Sequence, residues 1–262
     1  MSSASPEPPR LAVEGLSYGY GDRVLQHDIG FAVAAGEVVC VIGGSGSGKS
    51  TLLRVLTGLL PPLTGTVRIV GQDFWAAEPE AQAALIRRFG MMYQGGALWT
   101  SMTLAENVAL PLTLYTGLDA RSARSVAAYK LALVGLAGFE DFAPAAISGG
   151  MAKRVAIARG MALDPEILFL DEPSAGLDPV TSYRLDELIL DLRSTLGMSF
   201  VIVTHELASI FRIADRVVYL DAATHTMAAV GPPKQLLAES DDPDLVAFLS
   251  GGEGRRAPGA TS

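Results

Sequence analysis

Nine residues constrain this chain more than any others: Gly43-Gly44-Ser45-Gly46-Ser47-Gly48-Lys49-Ser50-Thr51 stands between the apolar run Val38 to Ile42 and the helical run Leu52 to Thr57. A strand, a glycine-rich turn and a helix in that order form the context that a phosphate-binding loop demands. The glycines let successive backbone N–H groups converge on a β-phosphate at the positive end of the helix. Lys49 adds a point charge on the β- and γ-phosphates, and Ser50 offers its hydroxyl to Mg²⁺. A flexible Gly/Ser turn is the competing reading, and the Lys-Ser pair with both flanking elements weighs against it.

A second motif stands downstream. Ile167-Leu168-Phe169-Leu170-Asp171-Glu172-Pro173 puts two carboxylates at the end of an apolar strand. Alone, it reads as a solvated turn. Beside a phosphate loop it supplies what phosphoryl transfer needs: Asp171 to hold Mg²⁺ through water and Glu172 to polarise the attacking water. Ser148-Gly149-Gly150 opens another helical run, which by itself is an ordinary N-cap.

The pattern around these motifs predicts an α/β fold. Short β-like runs (Leu11 to Val13, Phe31 to Val33, Val38 to Ile42, Gly65 to Val70) imply a mixed or antiparallel portion beside the first core strand. From Glu80 to Gly160 the pattern is helical, clearest over Asp119 to Leu136, as expected of an inserted helical subdomain spanning about 91–162. Strand and helix then alternate through Ile167 to Leu170, Pro179 to Leu196, Phe200 to Val203, Leu207 to Ala214, Arg216 to Leu220 and Met227 to Val230, which implies a largely parallel sheet covered on both faces. We expect a disordered tail over 1–10, the nucleotide-binding domain over 11–240, and a C-terminal helix with a disordered tail over 241–262, the disorder beginning at Gly251.

Composition narrows the setting. The lone cysteine, Cys40, lies in an apolar strand and reads as a packed thiol in a reducing compartment. Met1 to Arg10 contains no signal-like apolar run, and no stretch approaches the roughly 18 apolar residues of a membrane span, so the chain is expected to be cytoplasmic. A net charge of -8 without clustered Lys or Arg argues against a nucleic acid partner. Charged residues are only 18% of the chain, and between Met91 and Leu112 only Glu106 is charged. That stretch is either core or the seat of an apolar partner.

From about Leu11 to Gly231 the sequence resembles the ABC ATPases, with Ile147-Ser148-Gly149-Gly150-Met151 similar to that family's signature sequence. The resemblance implies the ABC ATPase fold, with ATP and Mg²⁺ as ligands and ATP hydrolysis as the activity. It also implies a two-fold dimer of two copies, in which Ser148, Gly149 and Gly150 touch the γ-phosphate of ATP on the other copy. Gln94 matches the loop glutamine that senses Mg²⁺ and the membrane subunit, and His205 the switch histidine that contacts the γ-phosphate. Ser174 to Asp178 matches the loop linking the two sites, and Tyr20 the aromatic that stacks on adenine, with Tyr18 two residues away. The chain departs from the family at Ile147 and Met151, where Leu and Gln are usual.

Met151 to Arg154, Gln94 to Trp99 and Glu106 to Leu112 resemble the Mla/Mce-type branch that powers phospholipid movement across the bacterial envelope. That resemblance implies an integral membrane permease and a lipid-binding MCE-type envelope subunit as partners, with the ATPase peripheral on the cytoplasmic face of the inner membrane. A transporter for another solute, or a soluble ABC protein, remains the alternative.

Overall fold

The computed structural model describes residues 8–252. The first part of the chain runs β1 (Leu11–Tyr20), β2 (Arg23–Val33), β3 (Val38–Ile42), α1 (Lys49–Leu56), β4 (Thr64–Ile69), β5 (Gln72–Asp73), α2 (Pro79–Ile86) and β6 (Phe89–Met92). Next come α3 (Leu104–Tyr115), α4 (Ala120–Leu133), a short 3₁₀ turn (Pro144–Ala146) and α5 (Gly149–Gly160). The remainder is β7 (Ile167–Asp171), α6 (Pro179–Leu196), β8 (Ser199–Val203), α7 (Leu207–Ile213), β9 (Arg216–Asp221), β10 (Thr226–Gly231), α8 (Pro233–Glu239) and α9 (Pro243–Leu249). Among these helices none is long and apolar enough to cross a membrane.

A six-stranded sheet in the order β10-β9-β3-β8-β7-β6 is parallel except for β10, and a four-stranded antiparallel sheet has the order β2-β1-β4-β5. Strands β3, β7 and β8 are buried along their whole length. Because successive side chains of a strand face opposite ways, each splits its residues between two cores. Val39, Val41, Ile167, Phe169, Val201 and Val203 face α1 and the antiparallel sheet. Val38, Cys40, Leu168, Leu170, Phe200 and Ile202 face the helices of the other layer. Burial holds the Cys40 thiol far above its ordinary pKa, as expected of an inert packed group.

Local chemistry sets the helix ends. Asp119 and Asp178 cap α4 and α6 by accepting from Ser122 N (2.8 Å) and from Val180 N (3.0 Å) and Thr181 N (3.1 Å), and Gly197 ends α6 in the left-handed region at φ 66°. Thr103 and Glu106 form a reciprocal capping box on α3.

Three expectations need correction or a limit. The helical pattern from Glu80 to Gly160 hides β6, a core strand paired in parallel with β7, which takes in Met91 and Met92 of the stretch expected to be helical. Four residues buried at three positions carry no alternation that a periodicity reading can detect. The expected tail over 1–10 falls mainly outside the described residues, but Arg10 is held: its N–H donates to Val33 O (2.8 Å) and its carbonyl accepts from Val70 N (3.0 Å). At the other end, Leu245 and Leu249 of α9 lie in the same core as the sheet, so position 240 separates no second body. The disorder expected from Gly251 does not hold for its first two residues, since Gly251 and Gly252 cap α9 through Phe248 O and Ala247 O, and the rest of that tail, 253–262, lies outside the described residues.

Gly90 is where β6 meets α5: a Cβ there would stand 1.9 Å from Gly160 O and 2.6 Å from Leu168 Cδ1. Gly90→Ala should lower the unfolding free energy by about 2–3 kcal/mol through overpacking. Gly117→Ala, which meets nothing within 4 Å, should stay within about 0.5 kcal/mol of the parent chain in the same guanidinium titration.

Candidate functional site

The loop between β3 and α1 is shaped by positions that need glycine. A Cβ on Gly43 (φ 149°) would come within 2.3 Å of Leu220 O, and Gly48 caps α1 in the left-handed region at φ 85°. No side chain caps α1 and no acid stands in its first turn, so its N-terminal N–H groups are left for an incoming anion. Gly44, Ser45 and Gly46 are exposed, whereas Ser47 is buried. Lys49 folds back over the loop: Nζ donates to Gly43 O (2.8 Å), Gly44 O (2.7 Å) and Ser47 Oγ (3.3 Å). Burial pushes its pKa down against the pull of Glu172 and Asp171. A phosphate oxygen is a stronger acceptor than these carbonyls, and its charge would offset that burial.

The parallel register brings the other sequence-predicted residues to the same rim. Asp171 ends β7 opposite Val203 of β8, so Glu172 lies beside the segment Thr204-His205 that leaves β8. Ser50 Oγ donates to Asp171 Oδ1 at 3.3 Å. Burial is the main cause that raises the Asp171 pKa, with Glu172 adding to it and Ser50, Arg54 and Lys153 opposing it. Glu172 itself sits at φ 49°, an uncommon conformation for a non-glycine residue, with its N–H bonded to Val203 O (2.9 Å). One carboxylate oxygen, Oε1, lies 2.9 Å from His205 Nδ1; the other, Oε2, is buried without a partner. Gln94 follows β6 by two residues and is exposed at the same end of the sheet. Sites in such sheets form outside the carboxyl ends of the strands, and here β3, β6, β7 and β8 each deliver a residue there.

Tyr20 projects from the end of β1 with 47% of its surface exposed, and its OH accepts from Arg54 Nη1 of α1 at 2.9 Å. Thr51 and Arg54 hold its phenol below the ordinary pKa. Tyr18 is different: it is fully buried beneath the loop. The two tyrosines that the sequence leaves in competition are therefore separated by exposure.

Ser148, Gly149 and Gly150 are not brought to this rim by any hydrogen bond among the described residues. Ser148 is exposed and caps α5, its Oγ accepting from Met151 N at 3.3 Å. Gly150 is pressed against α6, where a Cβ would meet Thr181 Cγ2 at 2.4 Å. Ile147 and Met151, the two departures from the family pattern, pack against the helix-side core.

Several further residues shape the site, although the sequence assigned none of them a role there. Lys153, 6% exposed, donates to Glu172 O at 3.3 Å and is held below its ordinary pKa by burial, against the pull of Glu172 and Asp171. Arg159 donates to Gly96 O (2.7 Å) and Ala97 O (2.8 Å), fixing the loop after Gln94. Asn107, fully buried, accepts from Trp99 N (2.7 Å) and donates to Trp99 O (3.0 Å) and Thr103 O (2.9 Å). Gln26 reaches the phosphate loop from β2. A groove of about 500 Å³ lies beside the segment from Tyr93 to Trp99, with Leu59, Ile86, Tyr93, Trp99, Pro111 and Tyr115 on its walls.

A family model described as ABC transporter matches residues 26–175. The intermembrane phospholipid transport system ATP-binding protein MlaF of Haemophilus influenzae is 35% identical over 241 residues, covering 92% of this chain and 90% of the relative. MlaF of Escherichia coli K12 is 37% identical over 236 residues, covering 90% and 87%. The probable ribonucleotide transport ATP-binding protein mkl of Mycobacterium tuberculosis is 37% identical over 241 residues, and this chain spans 66% of its length. Among solved structures, cbiO1 of Clostridium perfringens superimposes with a TM-score of 0.80 at 28% identity, covering 89% of this chain and 92% of that one. The dimeric ATP-binding cassette MJ0796 bound to ADP and Pi gives 0.75 at 27% identity, covering 85% and 98%. With its phosphate loop, paired acids and capped signature helix on this framework, the chain belongs to the ABC transporter family and has the ABC ATPase fold.

Proposed function

We propose that this chain is the ATP-binding and hydrolysing subunit of an ABC transporter that energises phospholipid movement across a bacterial envelope. The observation that carries the ATPase reading is the convergence of Lys49, Asp171, Glu172 and His205 on the rim that holds the phosphate loop. The cargo is inferred from the likeness to MlaF over nearly the whole chain. The mkl relative favours a second reading, in which the same ATPase serves ribonucleotide transport.

In this mechanism Tyr20 stacks on adenine while the loop N–H groups and Lys49 take the phosphates, Lys49 leaving the carbonyls of Gly43 and Gly44. Ser50 and Asp171 are hard oxygen donors in contact, and with Gln94 they suit Mg²⁺, which when bound would neutralise phosphate charge. Glu172 orients the attacking water through Oε2, the oxygen that lacks a partner, while His205 steadies Oε1. A second copy supplies Ser148, Gly149 and Gly150 to the γ-phosphate in a two-fold dimer, so each ATP lies between copies. The apolar groove beside Trp99 and Tyr93 receives a helix of the membrane permease. An MCE-type lipid-binding subunit completes the assembly, with the ATPase peripheral on the cytoplasmic face.

Lys49→Ala should lower ATP turnover by about 100-fold or more, because a preorganised charge on the phosphates is lost. Unchanged phosphate release in a steady-state assay would remove the loop from the mechanism. Glu172→Gln should retain ATP binding and hydrolyse about 10²–10⁴ times more slowly, the range of general-base contributions. Normal turnover in that variant would assign the water to another group.

The same variant tests the cargo. Purified with ATP from detergent-solubilised membranes, it should bring down a multi-span permease, an envelope lipid-binding subunit and enriched phospholipid by mass spectrometry. A permease with a soluble-solute receptor would replace the lipid reading by the other one.

A further inference from the structure

Gln26 is fully buried in β2, directly across the antiparallel pair from Tyr18 of β1. Its Nε2 donates to two backbone carbonyls distant in sequence: Ser47 O of the phosphate loop at 3.0 Å and Asp221 O at the end of β9 at 2.9 Å. An amide nitrogen has two hydrogens, so both are used. Turning the amide over would face Oε1 against two carbonyl oxygens, which fixes its orientation. The anchor is firm, since the Asp221 side chain closes its own turn by accepting from Ala223 N and Thr224 N.

The consequence lies in the peptide that follows. In a trans peptide the C=O and the next N–H point in opposite directions, and no cis peptide occurs among the described residues. Because Gln26 draws Ser47 C=O inward, the Gly48 N–H is aimed outward at the side where the anion is received. That N–H makes no hydrogen bond among the described residues. Gly48 rests directly on this floor: a Cβ would lie 3.3 Å from Tyr18 Cε2 and 3.5 Å from Gln26 Cγ. The remaining polar atoms of the floor, Tyr18 OH and Gln26 Oε1, are buried without partners, so no competing bond diverts the amide from the loop.

We infer that Gln26 is a positioning residue of the nucleotide site, presenting the Gly48 N–H to the phosphate chain of a nucleoside di- or triphosphate. The β1–β2 hairpin then couples two recognitions, because it carries Tyr20 at its tip and Gln26 beneath the loop. This inference rests on the ATP-binding reading.

Calorimetric titration of the full chain with MgADP and MgATP tests it, using Gln26→Leu, which removes the donors, and Gln26→Asn, which withdraws them by one methylene. Both should bind either nucleotide about tenfold more weakly, with KM for ATP raised about tenfold and kcat within about twofold, because the lost contact is made equally in ground and transition states. A folded variant with parental affinity, or one that loses kcat at unchanged KM, would overturn the inference. Should neither variant fold, the parent chain labelled with ¹⁵N-glycine gives the answer. MgADP should shift the Gly48 amide proton downfield, and a Gly48 signal that stays still while other loop glycines move would overturn it. Failure of the parent chain to bind either nucleotide would instead remove the ATP reading itself.

Discussion

Backbone pairing of β3 with β8 on one edge and β9 on the other holds Val38–Ile42 in the middle of the parallel sheet, and the site is assembled around that strand. Its carboxyl end opens into the phosphate loop. β8 sends His205 past that end, while β9 presents Leu220 O and Asp221 O as the wall against which Gly43 and Gln26 are set. One strand farther out, β7 brings Asp171 to Ser50 and Glu172 to His205. Parallel register, rather than any contact between the side chains, is what puts these residues at one level.

The electrostatics of the site follow from burial. Desolvation drives Lys49 and Lys153 down and Asp171 up, so each is pushed toward its neutral form, while their mutual attraction opposes the push. Lys153 approaches Glu172 through the backbone carbonyl, while the carboxylate oxygen Oε1 meets His205 instead. It also lies on the helix that Ser148 caps. Ser148 and Glu172 are therefore joined through one short segment of α5.

Much of this was legible in the sequence because the chemistry is contiguous: a phosphate loop and an Asp-Glu pair each bring their residues within a few positions, between elements whose periodicity is plain. The roles of Gln94, His205 and Tyr20 came only with the family resemblance, since isolated Gln, His and Tyr residues carry no pattern. Exposure then separated Tyr20 from Tyr18, a distinction that strand alternation cannot make because both residues fall on the same parity. β6 was hidden by its shortness, and by a glycine whose reason is a neighbouring helix. The roles of Gln26, Lys153, Asn107 and Arg159 were hidden for a different reason, although Lys153 and Asn107 lie in stretches that carry the family resemblance. Each works by bonding backbone carbonyls, and a carbonyl has no letter in the sequence.

The departures at Ile147 and Met151 become intelligible in the same terms. The cap on α5 uses the Met151 backbone N–H, so it survives replacement of the usual glutamine side chain. Both substituted side chains turn to the core, and Gly150 lets the helix start press on Thr181. Thr181 belongs to the first turn of α6, whose cap Asp178 accepts from its N–H and hydroxyl. The starts of α5 and α6 thus pack against each other at Gly150 and Thr181, each held by its own cap. A side-chain amide at position 151 is unnecessary for that packing, which depends on the glycine and on the helix cap.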